Sequence, residues 1–246
     1  MKIEARRTNV VNLEEAASAG GAVHSRRSLV DDVYDRLIEL LMQEDVAPGQ
    51  RIPIDALARA WQVSQTPIRE AMARAEESGL VVREPLKGFA VAALLTPEEF
   101  DQLMDMRLLI EPYCAAQACA HMDDSVIVEL EHHTTIMKRS PKGPTSAQYR
   151  DYMRADIAFH ELIASTSGNR FLSSALAGTS SHAHRFRRFG QGTVTDADEA
   201  VREHEAVLDA LRARDAKAAG TAMRNHLRGV EQRGRLAAGQ PEGRKP

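Results

Sequence analysis

The sequence predicts a mostly α protein in two regions, a small N-terminal unit of three helices and a hairpin followed by an all-α helical bundle. Three observations carry this. Ala, Leu, Arg and Glu are plentiful while aromatic residues make up 4% of the 246, a balance that favours helix over sheet. Two β-rich runs bounded by turn residues fall between Leu80 and Leu95. Beyond Leu95, apolar residues recur at helical spacing to about residue 235.

The elements follow in order. Residues 1–25 carry Glu4, Glu14 and Glu15 and lack the apolar centre of a signal peptide, so they read as a flexible N-terminal arm. The stretch SLVD at 28–31 has the form of a capping box, and Leu29, Val33, Leu37 and Leu41 then repeat at helical spacing. APGQ at 47–50 stops that helix. A second helix is expected around Ile54 to Ala60, and a third from Ser64 to Glu77 that ends at Ser78-Gly79. LVVRE and GFAVAAL, joined by PLKG, read as a hairpin. Three short helices and a hairpin within residues 26–95 describe a winged helix-turn-helix.

In the second region, 96–235, Thr96 caps and Pro97 opens a long helix, as proline does in a first turn. Six helices are expected, at 97–121, 124–139, 146–167, 169–189, 196–213 and 215–235, with breaks at MDD, SPKGPTS, TSGN and FGQGTVTD. Residues 236–246 read as a disordered tail. The net charge of −3 excludes a generally basic nucleic-acid binder. Two cysteines, Cys114 and Cys119, argue against a disulfide scaffold and fit a reducing cytoplasm. No apolar run approaches the roughly 18 residues of a membrane span.

VSQTPIREAM, at 63–72, is the first stretch with chemistry in it. Ser64 can cap the helix and Pro67 is tolerated in its first turn. Ile68, Ala71, Met72 and Ala75 form one face; Gln65, Thr66, Arg69 and Ala73 form the opposite one. That second face can enter a major groove, with Arg69 on guanine or phosphate, Gln65 on adenine and Thr66 on phosphate or a thymine methyl. Lys87 and Gly88 sit at the hairpin tip, where glycine permits close approach to a DNA backbone. The plainer reading is an amphipathic helix with a polar outer face, and residues 26–95 hold nine Lys/Arg against eleven Asp/Glu.

DIAFHELIA, at 156–164, is the second. Asp156 and His160, four apart, share a helical face with Met153, Ile157, Ile163 and Ala164, where an unpaired charge is costly. His204 and His226 are placed the same way: one among Ala200, Val201, Val207, Leu208 and Leu211, the other among Ala219, Ala222, Met223 and Val230. If the three helices converge, they offer three imidazole nitrogens and a carboxylate, a donor set for a divalent metal such as Zn, Ni, Mn or Fe, with one or two positions left for water or an anion. Against this stands the simple alternative of hydrogen-bonded core histidines. HELIA is not H-E-x-x-H, so a zinc-protease reading is poor. Arg107 lies among Phe100, Leu103, Met104, Cys114 and Ala118 with Glu111 one turn on. It either pairs internally with Glu111 or faces a cavity to bind a carboxylate in bidentate fashion. Asn169 can cap the next helix or donate to a ligand, and His182, near an apolar edge, can contact one.

The stretches VYDRLIELLMQEDVAPGQRI and LARAWQVSQTPIREAMARAEESGLVVREPLKGFAV resemble the N-terminal domain of GntR-type transcription regulators, over about 65 residues that include the PG turn, V-S-x-T-P-x-R-E-A and the wing glycine. MRLLIEP, D-x-x-x-FH-x-L-x-x-x-SGN, EHEAVLDAL and MRNHL resemble the all-helical effector domain of the FadR-like branch, called FCD, over 97–232. The first resemblance implies operator contacts at Thr66, Arg69 and Gly88; Gln65 stands where an arginine is usual, and Asp55 where other members have a basic or small polar residue. The second implies a divalent metal on Asp156, His160, His204 and His226, and a small organic-acid effector on Arg107. Together they imply a cytoplasmic homodimer, not an enzyme, that binds a short palindromic operator, most simply as a repressor. A metal-dependent hydrolase using the same residues, and a regulator whose metal is purely structural, are the competing readings.

Overall fold

The computed structural model describes residues 28–43, 46–140, 146–189 and 197–238. The expected arm at 1–25 lies outside them, as do residues 239–246 of the expected tail at 236–246, whose first two residues instead close the last helix. By internal contacts the chain divides into two compact units, 1–94 and 95–246.

In the first unit, α1 spans Leu29–Leu41. Ser28 and Asp31 form the expected capping box: each side chain accepts from the other's backbone N–H. α2 runs over Ile54–Trp61 and α3 over Gln65–Glu77. The apolar faces of these helices, with Leu37, Leu57, Trp61, Ile68 and Met72 all buried, make the core. The hairpin is present as β2 (Val81–Glu84) and β3 (Gly88–Val91), antiparallel, with Glu84 opposite Gly88. A further strand, β1 (Arg51–Ile52), pairs with β3, giving the order β1-β3-β2. Two residues carry no readable periodicity, which is why β1 was not expected.

In the second unit, α4 (Pro97–Ala118) opens with a Thr96–Glu99 capping box. α5 (Asp124–Arg139) follows, then α6 (Ser146–Thr166), α7 (Arg170–Leu176), α8 (Thr179–Phe189), α9 (Ala197–Arg212) and α10 (Ala216–Ala237). The expected helix 169–189 is therefore two helices. Ala177 ends α7, and Gly178, at φ +78°, turns the chain in the left-handed region that glycine enters without steric cost. α10 packs along α4 and α9, α6 packs on α5 and α4, and α8 touches α4, α6 and α10. Among the polar side chains buried between these helices is a cluster of histidines and carboxylates.

Candidate metal centre and DNA-reading helix

That cluster is built by α4, α6, α8, α9 and α10. His160, His204 and His226 are 6%, 0% and 1% exposed, and their ring nitrogens lie within 4.8 Å of one another. His160 Nε2 is 3.4 Å from His204 Nε2 and 3.2 Å from His226 Nε2. Asp156, also buried, brings Oδ1 to 3.2 Å from His204 Nε2, and its Oδ2 is 4.0 Å from His160 Nε2.

The other nitrogen of each ring fixes where the protons are. His160 Nδ1 is 2.6 Å from Glu111 Oε2, His204 Nδ1 is 2.7 Å from the carbonyl oxygen of Ala200, and His226 Nδ1 is 2.9 Å from Glu203 Oε2. A carbonyl only accepts. Each carboxylate is also paired with a guanidinium, Glu111 with Arg107 Nε and Glu203 with Arg233 in a bidentate pair at 2.7 Å on each oxygen, so each accepts. Each Nδ1 must then carry its hydrogen, so in the neutral rings every Nε2 presents a lone pair. Three lone pairs and a carboxylate oxygen converge without a hydrogen to share, and only a proton or a metal cation relieves that. This is the tautomer that carboxylate and carbonyl partners impose on metal-binding histidines. Burial, then repulsion from His204 and His160, keeps the pKa of His226 well below the usual histidine range. For Asp156 burial acts upward, but His184 and His204 outweigh it and hold the carboxyl well below the usual range. Both groups stay in the form that ligates a cation.

In the first unit, Ser64, Gln65, Thr66 and Arg69 are all exposed on the N-terminal turns of α3, and Lys87 and Gly88 on the hairpin turn. Ser64 occupies the N-cap position with no capping bond from its side chain. Of the two N–H groups such a cap can use, the one three residues on is missing, because that residue is Pro67. Gln65 Nε2 donates to Asp55 Oδ1 at 2.6 Å, and its Oε1 accepts from Arg69 Nη2 at 3.1 Å. Lys87 pairs with Glu84 at 3.3 Å, and Gly88 holds φ +87°.

The FCD domain model matches residues 102–229, and the model of bacterial regulatory proteins of the gntR family matches residues 29–91. The chain is a GntR-family regulator with an FCD domain. As such it is a DNA-binding transcriptional regulator. An HTH-type transcriptional regulator of Streptomyces ambofaciens is 28% identical over 212 residues, covering 86% of this chain and 87% of that protein. LutR of Bacillus subtilis is 27% identical, over 78% of this chain and 94% of its own length. The solved structure of Escherichia coli McbR/YncC overlays with a TM-score of 0.65 at 18% identity, covering 83% of this chain and 95% of that one. That last likeness is one of fold.

Within this GntR-family chain the four residues Asp156, His160, His204 and His226 come together. The candidate effector residues do not all join them. Arg107, 2% exposed, takes the internal alternative, with Nε on Glu111 and Nη2 on Ser180 Oγ at 3.3 Å. Asn169 is exposed and its Oδ1 accepts from the N–H groups of Phe171 and Leu172, so it caps α7 and does not line the buried cluster. His182 is half-buried, whereas His184, two residues on, is buried against Asp156 Oδ2 at 2.9 Å. His182 thus keeps the edge position expected of it, and His184 was not singled out. Glu111 and Glu203 were not singled out as partners of the histidines. The one readable signal was a glutamate at i,i+4 from a buried arginine. Among the described residues no helix is long and apolar enough to cross a membrane.

Proposed function

We propose that this regulator holds a divalent metal, Zn, Ni or Mn, on Asp156, His160, His204 and His226, and that a small organic acid binding beside it alters the affinity of a homodimer for a short palindromic operator. The observation that carries the metal is the proton count: four buried acceptors face one another while every Nδ1 is committed elsewhere. The bound metal would supply a Lewis-acidic point that attracts an anion. Arg107 supports the carboxylate: Glu111 engages its Nε, so the Nη1–Nη2 edge is the one that would take an effector carboxylate, replacing Ser180. On family grounds the regulator is a repressor, and it works in the cytoplasm.

A hydrolase reading is weaker. Glu111 and Glu203 are each tied between an arginine and a histidine Nδ1, so neither is placed to take a proton from water. Metal content decides the central point. Wild-type protein should carry about one equivalent per chain and the Asp156→Ala/His204→Ala variant none. Absence of metal from both, after incubation with Zn, Ni or Mn, would return the cluster to a hydrogen-bonded core.

A further inference from the structure

The three histidines each have a partner that fixes their orientation, and Asp156 has one too, in residues that neither the motifs nor the family resemblance singled out. His184 on α8 places Nε2 at 2.9 Å from Asp156 Oδ2, and Tyr149 on α6 places its hydroxyl at 2.7 Å from His184 Nδ1. Tyr149 and His184 are 2% and 4% exposed. The His184 ring meets Tyr149 and Tyr152 edge-on at centroid distances of 5.6 and 6.4 Å, and the two tyrosines stack at 5.4 Å. The imidazole is therefore enclosed as well as hydrogen-bonded.

Proton placement is again determined. Asp156, ionised, can only accept, so His184 carries hydrogen on Nε2. Its Nδ1 is then the acceptor, and Tyr149 donates. The result is a one-way chain, O–H to N and N–H to carboxylate, ending on Oδ2. His184 has no lone pair facing the cluster, so it is not a fourth nitrogen ligand. Asp156 has one oxygen engaged and the other, Oδ1, directed at His204 Nε2.

We propose that His184, oriented by Tyr149, is a positioning residue for Asp156 that reserves Oδ1 for the cation and holds the carboxylate to a single ligating oxygen. This rests on the metal reading above. Outer partners of this kind change metal affinity by roughly 10- to 100-fold when removed.

The test uses the full chain, stripped by a chelator and reloaded. Zn(II) affinity is measured by competition with a chromophoric chelator, and coordination is read from the visible absorption of the Co(II) form. His184→Leu should weaken Zn(II) binding about 10- to 100-fold and alter the Co(II) bands. His184→Gln, which keeps an N–H donor, should recover most of the loss. Tyr149→Phe keeps the ring stacking and should weaken binding in the same direction, by less; it also serves if the leucine variant does not fold. In an Asp156→Ala background, His184→Leu should add nothing further, a non-additivity that a purely packing role would not produce. Unchanged affinity in both His184→Leu and Tyr149→Phe overturns the proposal, as does a glutamine variant no better than leucine, or a Co(II) spectrum showing one nitrogen ligand fewer in His184→Leu. A wild-type chain that binds neither Zn(II) nor Co(II) removes the metal reading itself, and this inference with it.

Discussion

Gln65 shows how a hydrogen bond redirects a single residue. An adenine contact needs both the amide N–H and the amide oxygen of a glutamine. Here one amide N–H is given to Asp55 and the oxygen accepts from Arg69, so the side chain acts as a link that aims the guanidinium. The expected outcome in a selection from randomised duplexes is specific. Arg69→Ala should erase preference at one base pair, Gln65→Ala and Asp55→Ala should both relax preference at that same pair, and discrimination should fall by about 1–3 kcal/mol in each case. A Gln65→Ala variant that loses preference at a different pair from Arg69→Ala would mean the glutamine reads a base itself. The sequence displayed all three residues but not their linkage, because Asp55 and Gln65 meet only through the turn between α2 and α3. Titration at this scale has a sign as well. The folded pKa of His226 is depressed, so the unfolded chain binds the extra proton first and metal-free protein loses stability as pH falls below about 6.5. Asp156, also depressed, adds a second loss as pH falls below about 3.8. Thermal melts of chelator-treated protein from pH 8 to about pH 2 check both; a melting temperature flat across pH 7 to 5 would contradict the buried neutral imidazole.

Elements were legible where a periodic apolar face met a capping signal. SLVD and TPEEF each marked a helix start, and both capping boxes are present. The break between α7 and α8 was not legible, because Ala-Gly-Thr interrupts no apolar period and a glycine inside a helical pattern is tolerated. It precedes the helix on which His184, not His182, meets Asp156. Glycine at 178 is required by its φ of +78°. Gly178→Ala should therefore destabilise the protein by about 1–2 kcal/mol, visible as a lower melting temperature. If the break also sets the phase of α8, the same variant should weaken Zn(II) binding, whereas Gly88→Ala, at φ +87° on the hairpin turn, should lower stability and leave Zn(II) affinity unchanged. Equal metal affinity in wild type and Gly178→Ala would show that α8 holds its register without the turn.

For the whole molecule the question is whether the proposed cation in one compact unit is felt by the candidate DNA-reading helix in the other. Composition and motif identified both units, but coupling between them is a free-energy difference that no residue pattern encodes. It can be bounded. A metal that binds the folded chain alone stabilises it by about 2.7 kcal/mol at a hundred times its Kd, whatever its role. A rise in melting temperature on metal addition therefore does not separate a sensor from a structural site. Reciprocity does separate them. If Zn(II) changes affinity for a selected operator duplex by some factor, that duplex must change affinity for Zn(II) by the same factor, and typical couplings span roughly 5- to 150-fold. We expect the two ratios to agree and to differ from one, and an Asp156→Ala/His204→Ala chain to bind the duplex with an affinity that Zn(II) does not alter. Should both ratios equal one while the melting temperature still rises, the metal is structural, and any effector must act through Arg107 without it. Duplexes recovered by selection should also be two-fold symmetric, with each half bound by one copy of α3. A single asymmetric site bound by one chain would instead detach operator recognition from dimer symmetry, and the coupling would have to be sought within one protomer.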